Sequence, residues 1–316
     1  MSTQATTMSA ANRRENKLVV VGSVAVDWVI TPTAERQESV GGAAVFFSMA
    51  AAPLTHVQLV GVIGHDFPAP ALADLEAAGV NLDGLERRDG LTFRWKGRYH
   101  ENMNSRDTLE THLNVFEDFS PKLPASYRDS DFLFLANIQP SLQLDVLGQM
   151  ARRPRLVGLD TMNLWIDIAH DKLLEVLARV DVLAINQEEA LQLTAETNLV
   201  RAAAKIRKLG PSTLVIKRGE YGALCFGPDD SLFSAPALPL EDVIDPTGAG
   251  DSFAGGFMGH LARTGEVTGE NVRKAIIWGS TMASYCVQGF SYDRLRGLSR
   301  DDIGRRYQQF VDLTRF

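Results

Sequence analysis

An α/β fold with a mostly parallel central sheet, helices on both sides and a small β-sheet lid is what this 316-residue sequence predicts. Three observations carry that expectation. Short, almost continuous apolar runs such as Leu18-Val19-Val20-Val21 read as strands covered on both faces, as parallel sheets require. These runs alternate with stretches of helical length, which is the βαβ pattern. Between residues 91 and 116 the pattern changes to apolar/polar alternation, the mark of a sheet with one packed and one open face.

Composition narrows the function classes. A hydrophobic content of 45% supports a substantial core, and residues 17–316 read as one domain behind a polar, disordered tail at 1–16. A net charge of -7 without any Lys/Arg run argues against nucleic acid as a partner. Cys225 and Cys286 lie in apolar stretches without metal spacing, so a reducing cytoplasm fits. No apolar run approaches the ~20 residues of a membrane span.

Taken in order, residues 17–26 form the first strand, which ends at Asp27. A carboxylate there stands where open α/β sheets bind ligands, although a turn residue is the alternative. Gly41-Gly42 opens a small apolar helix over 43–52, and paired glycines bring backbone close to a neighbour. A second buried strand covers 56–64, followed by a helix at 69–78 that Gly79 stops. Lid strands are expected at 92–99 and 108–116, around a polar turn. Phe93, Trp95 and Tyr99 share one face of the first, while Thr92, Arg94, Lys96 and Arg98 share the other. That basic face either meets an anionic ligand or is simply solvated.

Strand 131–136, helix 141–151, strand 156–159, helix 171–179 and strand 182–185 continue the alternation. Two of these strands end in polar clusters, Asp160-Thr161-Met162-Asn163 and Asn186-Gln187-Glu188-Glu189, so with Asp27 three strand ends are polar. A helix at 199–209 precedes a hairpin at 213–217 and 223–226 around Arg218-Gly219-Glu220-Tyr221-Gly222, and helices 269–287 and 300–313 close the chain.

The strongest chemical signal is Asp245-Pro246-Thr247-Gly248-Ala249-Gly250-Asp251, followed at once by Ser252-Phe253-Ala254-Gly255-Gly256-Phe257. A tight loop should deliver a helix N-terminus at about Gly250, and the unpartnered amides there attract anions. Asp251 would repel a bound phosphate unless it takes a proton from a hydroxyl attacking that phosphate; a helix cap is the plainer reading. Neither the Gly-x-x-x-x-Gly-Lys-Ser/Thr loop nor a strand-linked Gly-x-Gly-x-x-Gly occurs, and the six histidines show no metal spacing.

In these motifs the chain resembles the ribokinase (PfkB-type) carbohydrate kinase family. Asp245 to Phe253 resembles its C-terminal signature, Gly41-Gly42 its N-terminal one and Asn186-x-x-Glu189 its magnesium and phosphate motif. The resemblance implies a ribokinase-like three-layer sandwich, with a lid from about 28–40 and 91–116, that uses ATP to phosphorylate an alcohol. It implies Asp251 as general base and the amides of Gly248, Ala249 and Gly250 as the hole for the transferring phosphoryl group. Asp27, Gly41 and Gly42 would hold acceptor hydroxyls, and Asn186, Glu189, Lys217, Gly219 and Gly222 would serve ATP. Glu189 would hold Mg2+ through water, and Asp245 with Thr247 a potassium-like cation. Where many sugar kinases carry Asn, this chain has Phe46, which either stacks on a flat substrate face or packs in the core. The expected acceptor is a sugar or sugar-like polyol. Alternatives are an adenosine-like nucleoside and, from another class, a sensor without catalysis. A homodimer through the lid is the expected assembly.

Overall fold

The apolar runs of the sequence become the strands of one large sheet. The structure is a computed structural model and describes residues 16–315. In chain order the sheet contains β1 (Lys17–Val21), β4 (His56–Ile63), β5 (Asn81–Arg87), β8 (Phe132–Leu135), β9 (Leu156–Leu159), β10 (Val182–Asn186), β11 (Thr213–Lys217), β12 (Ala223–Phe226) and β13 (Leu232–Ala235). Spatially they run β13-β12-β11-β10-β9-β8-β1-β4-β5. Pairs from β11 through to β5 are parallel; β12 runs antiparallel to β11, and β13 antiparallel to β12.

β1 shows why the run is apolar throughout. Leu18 and Val20 enter the core on one face, Val19 and Val21 that on the other, and all four are fully buried. The first layer is made by α1 (Ala43–Ala51), α2 (Ala69–Ala77), α8 (Ala249–Thr264), α9 (Gly269–Cys286) and α10 (Arg300–Leu313). The second is made by α3 (Pro140–Gln149), α4 (Asn163–Ile168), α5 (His170–Leu177), α6 (Gln187–Thr194) and α7 (Leu199–Arg207). No helix among the described residues is long and apolar enough to cross a membrane.

The smaller sheet runs β3-β2-β6-β7, with β2 (Ala25–Ile30), β3 (Glu35–Gly41), β6 (Phe93–Tyr99) and β7 (Arg106–His112). Here the structure corrects the expected first strand. The chain leaves the large sheet after Val21, and Ala25 already belongs to β2. At the break, a side chain on Gly22 would stand 2.9 Å from the Ala136 methyl, so the backbone turns where only glycine fits. Asp27 therefore sits in the lid, opposite Ser39 and Trp95, instead of at the end of a core strand. The second lid strand also stops early, at His112. Asn114 takes a left-handed φ of 50° and its side-chain amide donates to the Thr92 carbonyl at 2.9 Å, which turns 114–116 into a 3-10 helix.

Helix α8 owes its place to small residues. A Cβ on Gly255 would lie 2.3 Å from the Phe47 carbonyl oxygen of α1, and one on Gly256 2.6 Å from the Trp278 carbonyl oxygen of α9. Gly259 lies against Ala51 of α1 in the same manner, at 3.2 Å. The helix is thus clamped between two neighbours at backbone contact. Gly256→Ala is expected to destabilise the protein by about 1–3 kcal/mol, the usual cost of overpacking. Gly304→Ala, in α10 where nothing lies within 4 Å, should instead stabilise by about 0.5–1 kcal/mol. Urea denaturation of both variants checks the pair, and a neutral Gly256→Ala would refute the clamp.

Candidate active site

The sequence-predicted residues gather in two groups at the carboxyl ends of the parallel strands. The first lies where the lid joins the core. Gly42, with φ 95°, precedes α1, and a Cβ on it would lie 2.4 Å from the Ser23 carbonyl oxygen. That carbonyl accepts the Ala44 amide at 3.0 Å, and the Ser23 hydroxyl accepts the Ala43 amide at 3.1 Å. The outgoing and returning strands of the lid are therefore pinched together. The Asp27 carboxylate lies over Gly41, whose absent Cβ would fall 2.0 Å from its Oδ2. Asp27 is 6% exposed and makes no hydrogen bond to a described residue. Burial raises its pKa well above the usual carboxylate value, and the charges of Asp245 and Asp251 raise it further.

The second group surrounds the start of α8. Asp245 Oδ1 accepts the Thr247 amide at 2.8 Å, and Gly248, with φ 75°, turns the chain into the helix. The Ala249 amide donates to the Pro246 carbonyl at 3.1 Å, so of the three expected anion-binding amides it alone is engaged. Those of Gly248 and Gly250 have no partner among the described residues. Phe46 is 2% exposed, and its ring lies 2.2 Å from where a Gly248 Cβ would be. It packs beneath the loop as a buried core residue instead of standing open to a ligand.

Around this helix start the strand ends contribute charge. Lys217, last in β11, places its Nζ 3.0 Å from Asp160 Oδ2 and 2.9 Å from the position of a Gly250 Cβ. Burial alone would lower its pKa, but Asp160, Glu189 and Asp251 reverse this and raise it. Asp251 retains some exposure, yet burial first and then the Asp160 charge push its carboxyl up to about 7. Glu189 is pushed up to about 7 by the same two causes. Asn186, paired in register with Lys217, forms a reciprocal cap with Glu189. Asn186 Oδ1 accepts the Glu189 amide and Glu189 Oε2 accepts the Asn186 amide, each at 2.8 Å. Asp245 is raised to about 6 by burial, and its Oδ2 is buried without a partner.

On the neighbouring hairpin, Gly219 and Gly222 have positive φ values of 54° and 79°. Gly222 is fixed by packing, since its Cβ would fall 2.1 Å from the Ala235 carbonyl oxygen. Gly219 lies under the side chain of Asn104, which reaches it from the lid. Sequence reasoning passed over several residues here. Asp160 was visible only as part of a polar strand end. Tyr99, Asn104 and Arg106 reach the site through pairing of the lid strands, and Ser23 through the break between β1 and β2, which no local motif announces. Among the described residues no group of three or more His, Cys, Asp or Glu side chains forms a ready-made metal centre.

Comparison with known proteins gives this arrangement its context. Residues 15–293 match the model of the pfkB family carbohydrate kinases. The chain is 33% identical to a cytidine kinase of Thermococcus kodakarensis over 78% of its length and 88% of that protein. It is 24% identical to an inositol 3-kinase of Arabidopsis thaliana over 97% of this chain and 85% of the other. A putative ribokinase II from E. coli, solved with ATP and Mg2+, superposes with a TM-score of 0.76 at 19% identity, covering 93% of this chain and 99% of that one. Phosphoryl transfer is the chemistry common to these named kinases. With the match to the family model extending over most of its length, the chain belongs to the pfkB family of carbohydrate kinases.

Proposed function

We propose that this kinase transfers the γ-phosphoryl group of ATP to a hydroxyl of a sugar or sugar-like polyol, with Asp251 as the general base. The observation that carries the acceptor reading is the unpartnered, nearly buried carboxylate of Asp27. Such a group is costly to bury unless a ligand donates to it, and two vicinal hydroxyls supply two donors to its two oxygens. Asp27 and Asp251 lie within range of each other's charge, so a hydroxyl held by the first can be presented to the second. With its pKa raised, Asp251 is a stronger base than an exposed carboxylate and accepts the hydroxyl proton as the new O–P bond forms. The free amides of Gly248 and Gly250 face the charge on the transferring phosphoryl oxygens.

Bound Mg2+ would supply positive charge to offset that of the ATP phosphates. Glu189 suits that role through a water, since only its Oε2 is engaged in the cap of α6. Asp245 Oδ2, buried and unpartnered, together with Thr247 suits a potassium-like cation beside the loop. Lys217, Gly219 and Asn186 form the nucleotide side, with Gly222 holding the turn beneath it. A nucleoside is the second reading, favoured by the 33% identity to a cytidine kinase. A riboside would offer Asp27 the same vicinal hydroxyls.

Release of ADP across a panel of sugars, polyols and ribosides identifies the acceptor, and Asp27→Ala should abolish turnover with every member. Activity that survives in that variant on the best acceptor would remove Asp27 from the site. Asp251→Asn should lower kcat by about 10²-fold or more while ATP still binds. The same substitution should act on stability with the opposite sign. The native carboxyl is raised from 3.8 to about 7, so its contribution is fully present below about pH 4 and is lost as the pH rises through 7. Without ligands, Asp251→Asn should therefore melt several degrees above the native protein at pH 8, a gap that closes steadily between pH 7 and pH 4. Wild-type kcat, or an unchanged melting temperature at pH 8, would contradict a buried base.

A further inference from the structure

The lid carries several cations, and all but a few are neutralised within it. Arg94 pairs with Glu38 at 2.6 Å and Asp66 at 2.8 Å, and Lys96 pairs with Glu110 at 3.0 Å while lying over the Trp28 ring. Both belong to the face whose pattern first suggested anion binding, and their charge is committed; Arg98, the third basic residue of that face, is exposed and makes no ion pair with a described residue. Arg106 differs. It is the first residue of β7, directly opposite Tyr99 on β6, and it makes no ion pair with a described residue. Its guanidinium lies 5.9 Å from the centre of the Trp95 ring, and its positive charge is felt at Tyr99, Glu189 and Asp251. An unpaired guanidinium thus faces the catalytic end of the sheet, where the one buried ammonium, Lys217, is held by Asp160.

Two contacts hold the hairpin over that end. At its root, the Thr247 hydroxyl of the catalytic loop donates to the Tyr99 hydroxyl at 3.2 Å. At its tip, Asn104 Nδ2 donates to Glu220 Oε2 at 2.5 Å, on the turn that carries Gly219. The tip is itself braced, because Asn102 Oδ1 accepts the amides of Asn104 and Ser105 at 3.1 Å each. Arg106 follows directly. The hairpin spans the site from the anion-binding loop to the nucleotide side, and Arg106 is its uncommitted cation whose charge acts on Glu189 and Asp251.

We propose that Arg106 is a catalytic residue that grips the transferring phosphoryl group, and that Asn104 and Glu220 are positioning residues that hold the hairpin so that it can. This rests on the reading of Asp251 as base. In the step, the acceptor oxygen bonds to the γ-phosphorus, the bond to the β,γ-bridging oxygen breaks, ADP leaves with the electron pair and Asp251 takes the acceptor proton. Arg106 donates to the equatorial oxygens, whose charge it offsets throughout, and its planar fork suits them better than a lysine would.

The test is kinetic and calorimetric. Arg106→Gln should lower kcat by about 10²–10³-fold, the usual effect of removing a donor from such a site, with the acceptor KM changed by less than about threefold. Arg106→Lys should recover only a small part of that loss. Added methylguanidine should restore turnover to Arg106→Ala, which a purely structural role would not allow. Asn104→Ala and Glu220→Gln should each lower kcat less, and methylguanidine should not rescue them. By calorimetry, the native protein should bind the β,γ-imido analogue of ATP more tightly than ADP, and Arg106→Gln should remove that preference. This measurement needs no acceptor. A kcat within twofold of native, or an unchanged preference for the imido analogue, overturns the proposal. So does a raised KM confined to anionic acceptors, which would assign Arg106 to the acceptor instead. If Asp251→Asn stays active while Arg106→Gln does not, the base reading fails and the clamp stands.

Discussion

Buried negative charge is the constraint on which the catalytic end depends. Asp27, Asp160, Glu189 and Asp245 are each no more than 6% exposed, and Asp251 joins them at the start of α8. Against these stands one buried ammonium, that of Lys217, held by Asp160 at 3.0 Å. Ionised carboxylates at such depth are expensive, and the raised pKa values of Asp27, Glu189, Asp245 and Asp251 register that cost. A fold shaped only for stability would replace several of them. Their retention makes sense if cations and hydroxyl donors arrive with the substrates, and ligands that bind only the folded state then stabilise it by mass action.

Much of this was legible in the sequence, for a definite reason. Buried parallel strands need continuous apolar runs, so Val19 to Val21 and Leu156 to Leu159 announced themselves. The loop from Asp245 to Asp251 is local chemistry, with turn, glycine and acid adjacent in the chain, so the start of α8 could be placed to within a residue of Gly250. Local pattern failed where the chain changes sheets. Nothing in the apolar run from 17 to 26 marks Gly22 as the point of departure, because both sides of the break are equally buried. The half-buried edge strand β5 and the four-residue β13 were missed because neither has a strong period. The contributions of Tyr99, Asn104 and Arg106 depend on cross-strand register, which is long-range information.

The pinch between Ser23 and Gly42 explains how a lid strand can supply a residue to a site otherwise built on the core. The two crossings that bound the β2–β3 hairpin meet at one neck, where the Ala43 and Ala44 amides are held by Ser23. Asp27 lies only four residues beyond Ser23 and rests on Gly41, so its position is set by the neck and not by the far edge of the lid. The tip of the β6–β7 hairpin, by contrast, is tied to the turn that carries Gly219 by the side chain of Asn104. On the proposed reading, acceptor recognition and closure over the nucleotide would fall to the fixed and the free end of the same small sheet.

The clamp on α8 has a further consequence, for how such a chain tolerates change over generations. Gly255, Gly256 and Gly259 touch no candidate ligand, yet each faces its neighbours more closely than a methyl group comfortably allows. Gly279 of α9 mirrors them, with an added Cβ 2.7 Å from the Phe253 carbonyl oxygen. Drift at these four positions would displace the helix start that the acidic site needs, as surely as loss of an acid would. Lineages of this protein should accordingly vary freely on the outer strand β7 beyond Arg106, where every residue is exposed, and remain frozen along an inner seam of glycines whose only task is nearness.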